Sequence, residues 1–76
     1  MIALDNKSFY YVTNWDDAAH YTQTLEAAGI PHAVEAPTQG LPLKEGQLAI
    51  VFPDLPVKQY DFVHKLFDGV GERYPL

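Results

Sequence analysis

The chain has 76 residues and a mass of 8.5 kDa, which is the size of one small domain, residues 1–76, since two parts of such a chain could not each bury a core. Hydrophobic residues make up 47% and charged residues 20%, including five tyrosines, four phenylalanines and one tryptophan, so apolar material suffices to order the chain and the disordered class is excluded. The absence of cysteine removes disulfides, thiol catalysis, iron–sulfur ligation and cysteine-based zinc sites, and a formal charge of -5 with pI near 4.8 argues against direct binding to a phosphate backbone.

The N-terminal MIALDNKSF lacks the basic stretch and long apolar run of a signal peptide, and no run approaches the roughly 18 apolar residues of a membrane span. A cytoplasmic location without membrane association is the expectation. Met1 to Leu4 reads either as a short edge strand or as a cover for one end of the core. Ser8-Phe9-Tyr10-Tyr11-Val12-Thr13 is dense in aromatic and β-branched types and predicts a strand.

At Asn14 the period changes to helical. Thr13 or Asn14 can serve as N-cap, Asp16 and Asp17 place negative charge on the first turn, and Ala18, Tyr21, Leu25 and Ala28 form an apolar stripe. Gly29 supplies a left-handed C-terminal residue and Pro31 prevents continuation, so the helix spans about 15–28. Residues 30–36, bounded by Pro31 and Pro37, fit a modest strand near a sheet edge. Residues 37–46 hold two prolines and two glycines and predict a loop, with Leu41 and Leu43 covering a core edge in part. A loop of this length can also carry function, and a small-ligand sensor built on Gly40 to Gly46 is one reading of it.

Gln47-Leu48-Ala49-Ile50-Val51-Phe52 is the most apolar run, without a polar alternate, as expected of a central strand covered on more than one side. Pro53 ends it. Asp54 is available as an N-cap with Pro56 in the first turn, and a second helix follows, with Tyr60, Val63, Leu66 and Phe67 inward, Lys58, Asp61, Lys65 and Asp68 outward, and Gly69 as C-cap. The last seven residues supply a short final strand or stay loose.

The order β-α-β-β-α, with an optional terminal strand, predicts an α+β two-layer sandwich of the ferredoxin-like type. Its two helices would cover one face of the sheet. The uncovered face is the reason to expect self-association, with a homodimer as the simplest form.

Phe9-Tyr10-Tyr11-Val12, the helix end Leu25-Glu26-Ala27-Ala28-Gly29-Ile30-Pro31 and the strand Leu48-Ala49-Ile50-Val51-Phe52-Pro53 followed by a helix together resemble, over about residues 8–68, the small bacterial domains of unknown function grouped as a prokaryotic signal transducing protein family. The resemblance implies a ferredoxin-like fold and a sensor-like or regulatory role. It brings no catalytic residue with it.

The residues themselves offer little chemistry. His20, His32 and His64, with Asp16 four residues before His20 and Asp61 three before His64, permit a metal site, but without an HxH, HxxxH or HExxH pair the simpler reading is surface histidines beside carboxylates. Asp16-Asp17 diverge on a helix start and need no acid/base role. No serine or threonine has a histidine at a nucleophile's spacing, and Gly69-Val70-Gly71 follows a helix where a phosphate loop would precede one. No enzymatic activity, cofactor or metal is expected.

Tyr10 and Tyr11 are consecutive in a strand and face opposite sides, so one is expected to be exposed or in an interface. With Trp15, and with Asp16 and Asp17 beside it, they make the candidate protein-binding site Tyr10, Tyr11, Trp15, Asp16 and Asp17; the plainer reading is that Tyr and Trp complete a small core. The expected function is therefore a non-enzymatic interaction or regulatory protein whose partner is another protein. The alternative is an acidic inhibitor whose carboxylates stand in for phosphates on a nucleic-acid-binding partner.

Overall fold

The computed structural model describes residues 7–37 and 43–74. Met1 to Leu4 lie outside the described residues, as do residues 40–42 of the proposed ligand loop, Leu41 among them. The elements run β1 (Lys7–Asn14), α1 (Trp15–Ala27), β2 (Ala33–Glu35), β3 (Gln47–Pro53), α2 (Val57–Phe67) and β4 (Glu72–Arg73). They form an α+β fold with one four-stranded sheet of order β2-β3-β1-β4. Every pairing is antiparallel: β1 with β3, β1 with β4, and β2 with β3. Consequently β1 and β2 run parallel and flank β3, so α1 connects two strands that do not touch. The tail's terminal strand forms, and the apolar run of β3 is interior, with Leu48 to Phe52 all buried.

Both helices contribute to one core. Leu25 of α1 and Val63 of α2 pack with Tyr11, Ile50, Phe52 and Ile30, and Phe9, Tyr21, Leu66 and Phe67 close around them. Leu25, Ile50, Phe52 and Val63 are wholly buried, each worth roughly 1.5–3 kcal/mol relative to exposure. The aromatics interlock: Phe67 stacks on Tyr11 at 4.2 Å and on Tyr21 at 4.3 Å, and Phe9 stacks on Phe52 at 5.1 Å.

The start of α1 follows its sequence signals. Asn14 is the N-cap: its Oδ1 accepts from the Asp17 backbone N–H at 2.8 Å, which satisfies one orphan donor of the helix start, and its Nδ2 donates to Asp17 Oδ2 at 3.3 Å, side chain to side chain. Gly29 ends the helix with φ of 71°.

Helix α2 departs from its predicted ends. Asp54 is not the N-cap; Pro56 occupies that position and no side chain caps the helix. Pro56, with no N–H and a fixed φ, pre-sets the entry by itself, which shifts the start past Asp54. At the other end Gly69 is not the left-handed residue. Asp68 is, at φ 55° and ψ 48°, and the Gly69 N–H reaches the His64 carbonyl at 3.1 Å. Aspartate tolerates this conformation because its short polar side chain can bond locally, but it still bears a Cβ. Gly71 is glycine for another reason: a Cβ there would lie 2.9 Å from the Tyr10 carbonyl oxygen and 3.0–3.1 Å from the rings of Tyr11 and Phe9, so the tail could not approach β1 as closely.

Replacing Asp68 with Gly is expected to stabilise the fold by about 0.5–1 kcal/mol by removing the Cβ penalty. Chemical denaturation of D68G against the wild type measures it, and an unchanged or lower midpoint contradicts the assignment.

Candidate functional site

The site residues separate according to the two faces of β1. Tyr11 points into the helix-covered core, where its hydroxyl donates to the Gly69 carbonyl at 2.7 Å. Tyr10 points to the opposite face. The expectation that one of the two is exposed or in an interface is corrected, for Tyr10 is 6% and Tyr11 8% exposed within a single chain. What sequence reasoning missed is the cover on the face without helices. There Tyr10, Ala49 and Val51 form a second buried cluster, with Leu43 and Tyr74 packed over it and the Tyr74 ring edge-on to Tyr10 at 6.2 Å. The predicted uncovered apolar face is thus corrected as well: the residues before β3 and after β4 shelter its centre.

A polar clasp holds that cover. The Tyr74 hydroxyl donates to Glu35 Oε1 at 2.9 Å, and Lys7 Nζ lies 2.6 Å from Glu35 Oε2 and 3.4 Å from the Tyr74 hydroxyl oxygen. The same ammonium sits 5.2 Å from the centre of the Tyr74 ring. Glu35 is 5% exposed and is the buried charged residue of the described chain. A buried carboxylate is costly unless paired and hydrogen-bonded, and here both oxygens are engaged.

Strand geometry explains how the three meet. Glu35 and Ala49 are register partners, so Glu35 stands on the Tyr10 face. Lys7 would by alternation share the face of Phe9 and Tyr11, but the β1–β3 register shifts between Lys7 and Phe9. That irregularity delivers Lys7 to the clasp, as a one-residue bulge reverses the facing of what precedes it. Separations of 39 and 67 residues along the chain left no local pattern from which to read the cluster.

Trp15, Asp16 and Asp17 remain at the surface. Trp15 is 65% exposed at the first position of α1, both aspartates are exposed, and Val12, three residues earlier, is 43% exposed. The structure therefore keeps Trp15, Asp16 and Asp17 together on one helical turn and withdraws Tyr10 and Tyr11 from it.

The histidines do not converge: no group of three His, Cys, Asp or Glu side chains suited to a metal exists among the described residues. His20 is exposed, and Asp61 pairs with Lys65 at 3.0 Å instead of His64. His32 Nδ1 lies 2.9 Å from the Ile30 carbonyl oxygen, a contact that requires its Nδ1–H form. No helix among the described residues is long and apolar enough to cross a membrane.

No family model, curated protein or solved structure matches the chain.

Tyr74→Phe removes the hydroxyl and leaves a Glu35 oxygen buried without its donor, and should cost about 1.5–3 kcal/mol in denaturant unfolding; a loss below a few tenths would show that the hydroxyl holds nothing. The Lys7 pKa is raised above 10.5, chiefly by its hydrogen bond to Glu35, and that of Tyr11 above 10.0, first by burial and then by Tyr60. Both groups hold their proton more tightly folded than unfolded. Their contribution is therefore complete below about pH 10 and lost as pH rises through the folded values. The melting temperature should fall on that alkaline limb, and less steeply in Tyr11→Phe relative to its own value near pH ~8; equal slopes would contradict the Tyr11 assignment.

Proposed function

We propose that the chain is a non-enzymatic regulatory module that acts by binding another protein through the first turn of α1. The observation that carries the proposal is Trp15, the single tryptophan, 65% exposed on a capped helix start with exposed Asp16 and Asp17 beside it. An indole supplies a large rigid contact area at low entropic cost, and tryptophan is enriched among the residues that dominate binding energy. The Asn14 cap, with its side-chain contact to Asp17, fixes the turn that presents it, so little order has to be gained on binding. Flanking carboxylates would steer a basic partner and reject acidic ones.

A ferredoxin-like arrangement is the finer fold reading we infer; it is supported by the sheet order β2-β3-β1-β4 with α1 joining two parallel strands across β3. A regulatory role agrees with what the resemblance to the signal transducing family implies, and a cytoplasmic setting is part of the same proposal. Self-association through the Tyr10 face would first require Tyr74 to be displaced, so the Trp15 turn is the favoured contact for a heterologous partner and for a second copy alike. Acidic mimicry of nucleic acid remains the alternative, and it differs in its salt dependence.

Trp15→Ala should leave the melting temperature within a degree or so of the wild type, since a residue this exposed contributes little to the core. It should also weaken partner capture from the native host by tenfold or more, about 1.4 kcal/mol. Equal capture by W15A would sink the proposal, and a complex that dissolves steeply with added salt yet tolerates W15A would favour the mimic. Sedimentation of the purified chain tests the second-copy form directly.

A further inference from the structure

At the other end of β1 from Trp15, a recess of about 270 Å³ is lined by Ser8, Phe9, Tyr60, Val70, Gly71 and Arg73. Three features of the fold make it. Phe9 and Arg73 are register partners in the β1–β4 pairing, which sets the guanidinium on the same face as the Phe9 ring. The Phe9 and Tyr60 rings meet edge to face at 5.4 Å and give an aromatic wall. Gly71, where any Cβ would strike β1, lets the tail lie close enough to form the opposite side.

The charge at this recess is unusual for the chain. Ten carboxylates accompany a single arginine, yet among the described residues Arg73 makes no ion pair, the two that form being those of Lys7 with Glu35 and Lys65 with Asp61. Its neighbour Glu72 pairs with Tyr10 and stands on the other face, so alternation carries that carboxylate away from the recess. A guanidinium beside an aromatic wall and two hydroxyl-bearing residues is suited to one ligand chemistry, an oxyanion gripped by the planar fork with an apolar body against the rings. The recess is smaller than the roughly 300–1,000 Å³ of pockets for drug-sized ligands, which limits that body to about one ring or a branched alkyl group.

We propose that this recess is a binding site for a small monocarboxylate bearing an aromatic or branched apolar group, with Arg73 holding the carboxylate and Phe9 and Tyr60 the apolar part. The site is separate from the Trp15 turn, so that a small ligand and a protein partner could be held at once, and it does not depend on the proposed partner binding.

Titration of the isotopically labelled full chain with phenylacetate, followed by amide chemical shifts, tests it. The expected result is saturable shifts confined to Ser8, Phe9, Tyr60 and residues 70–73, with little response to 2-phenylethanol, which keeps the ring and lacks the charge. Arg73→Gln should weaken phenylacetate binding at least about tenfold, as loss of a charged hydrogen-bonding partner does. Val70→Asp places a like charge at the mouth, on a side chain 73% exposed and thus free of the core, and should weaken it too. Equal responses to phenylacetate and 2-phenylethanol, unchanged affinity in both variants, or shifts that never saturate would each overturn the proposal. A response to inorganic phosphate as strong as that to phenylacetate would overturn the apolar half of the assignment, leaving a bare anion contact.

Discussion

Two short helices cannot cover both faces of a four-stranded sheet, and much else in this molecule follows from how the second face is closed. The helices take the face of Phe9, Tyr11, Ile50 and Phe52. On the other, Tyr10, Ala49 and Val51 are sealed by Leu43 and by Tyr74, whose hydroxyl reaches Glu35 on the far edge strand. One phenol therefore joins β2 to the segment after β4 across the two strands between them, and Lys7 completes the charge balance. For a domain of this size, without a disulfide, such a clasp supplies the cross-connection that a larger core would otherwise provide.

The clasp also determines where the molecule can meet others. Had the second face been bare, Tyr10 and its neighbours would have formed a contiguous apolar patch of the kind associated with self-association. With that face sheltered, the most exposed aromatic among the described residues is Trp15, at one end of β1, and Arg73, which makes no ion pair among the described residues, lies at the other. Strand β1 is thus the common scaffold: its C-terminal end runs into the capped turn that presents Trp15, and its N-terminal end, with the register shift before Phe9, contributes Lys7 to the clasp and Ser8 and Phe9 to the recess.

Irregular features do more positioning here than regular ones. The register shift between Lys7 and Phe9 moves a cation from the core face, where it would be unpaired, to the face where Glu35 needs it. Gly71 lets the tail pack against β1, and the left-handed Asp68 turns the chain from α2 toward that approach. Each occupies a single residue, so none leaves a periodic trace.

The elements themselves were legible because their signals are local. Asn14 with Asp17, Gly29 before Pro31, and the unbroken run of Leu48 to Phe52 each satisfy or forbid backbone conformations within a few residues. Exposure of Asp16 and Asp17 followed from the same helix-start logic. The ends of α2 were misread because two neighbouring residues could each fill the role, and Pro56 and Asp68 did so in place of Asp54 and Gly69. The burial of both Tyr10 and Tyr11 was decided only in three dimensions: alternation fixes that consecutive side chains take opposite faces, but what lies on each face depends on Tyr74, Leu43 and Glu35, brought there by strand pairing. By itself the sequence determined the elements and the polarity of their faces, whereas the tertiary structure decided which face is sheltered and which side chains stay free, because contacts between residues far apart in the chain are set by sheet order and register.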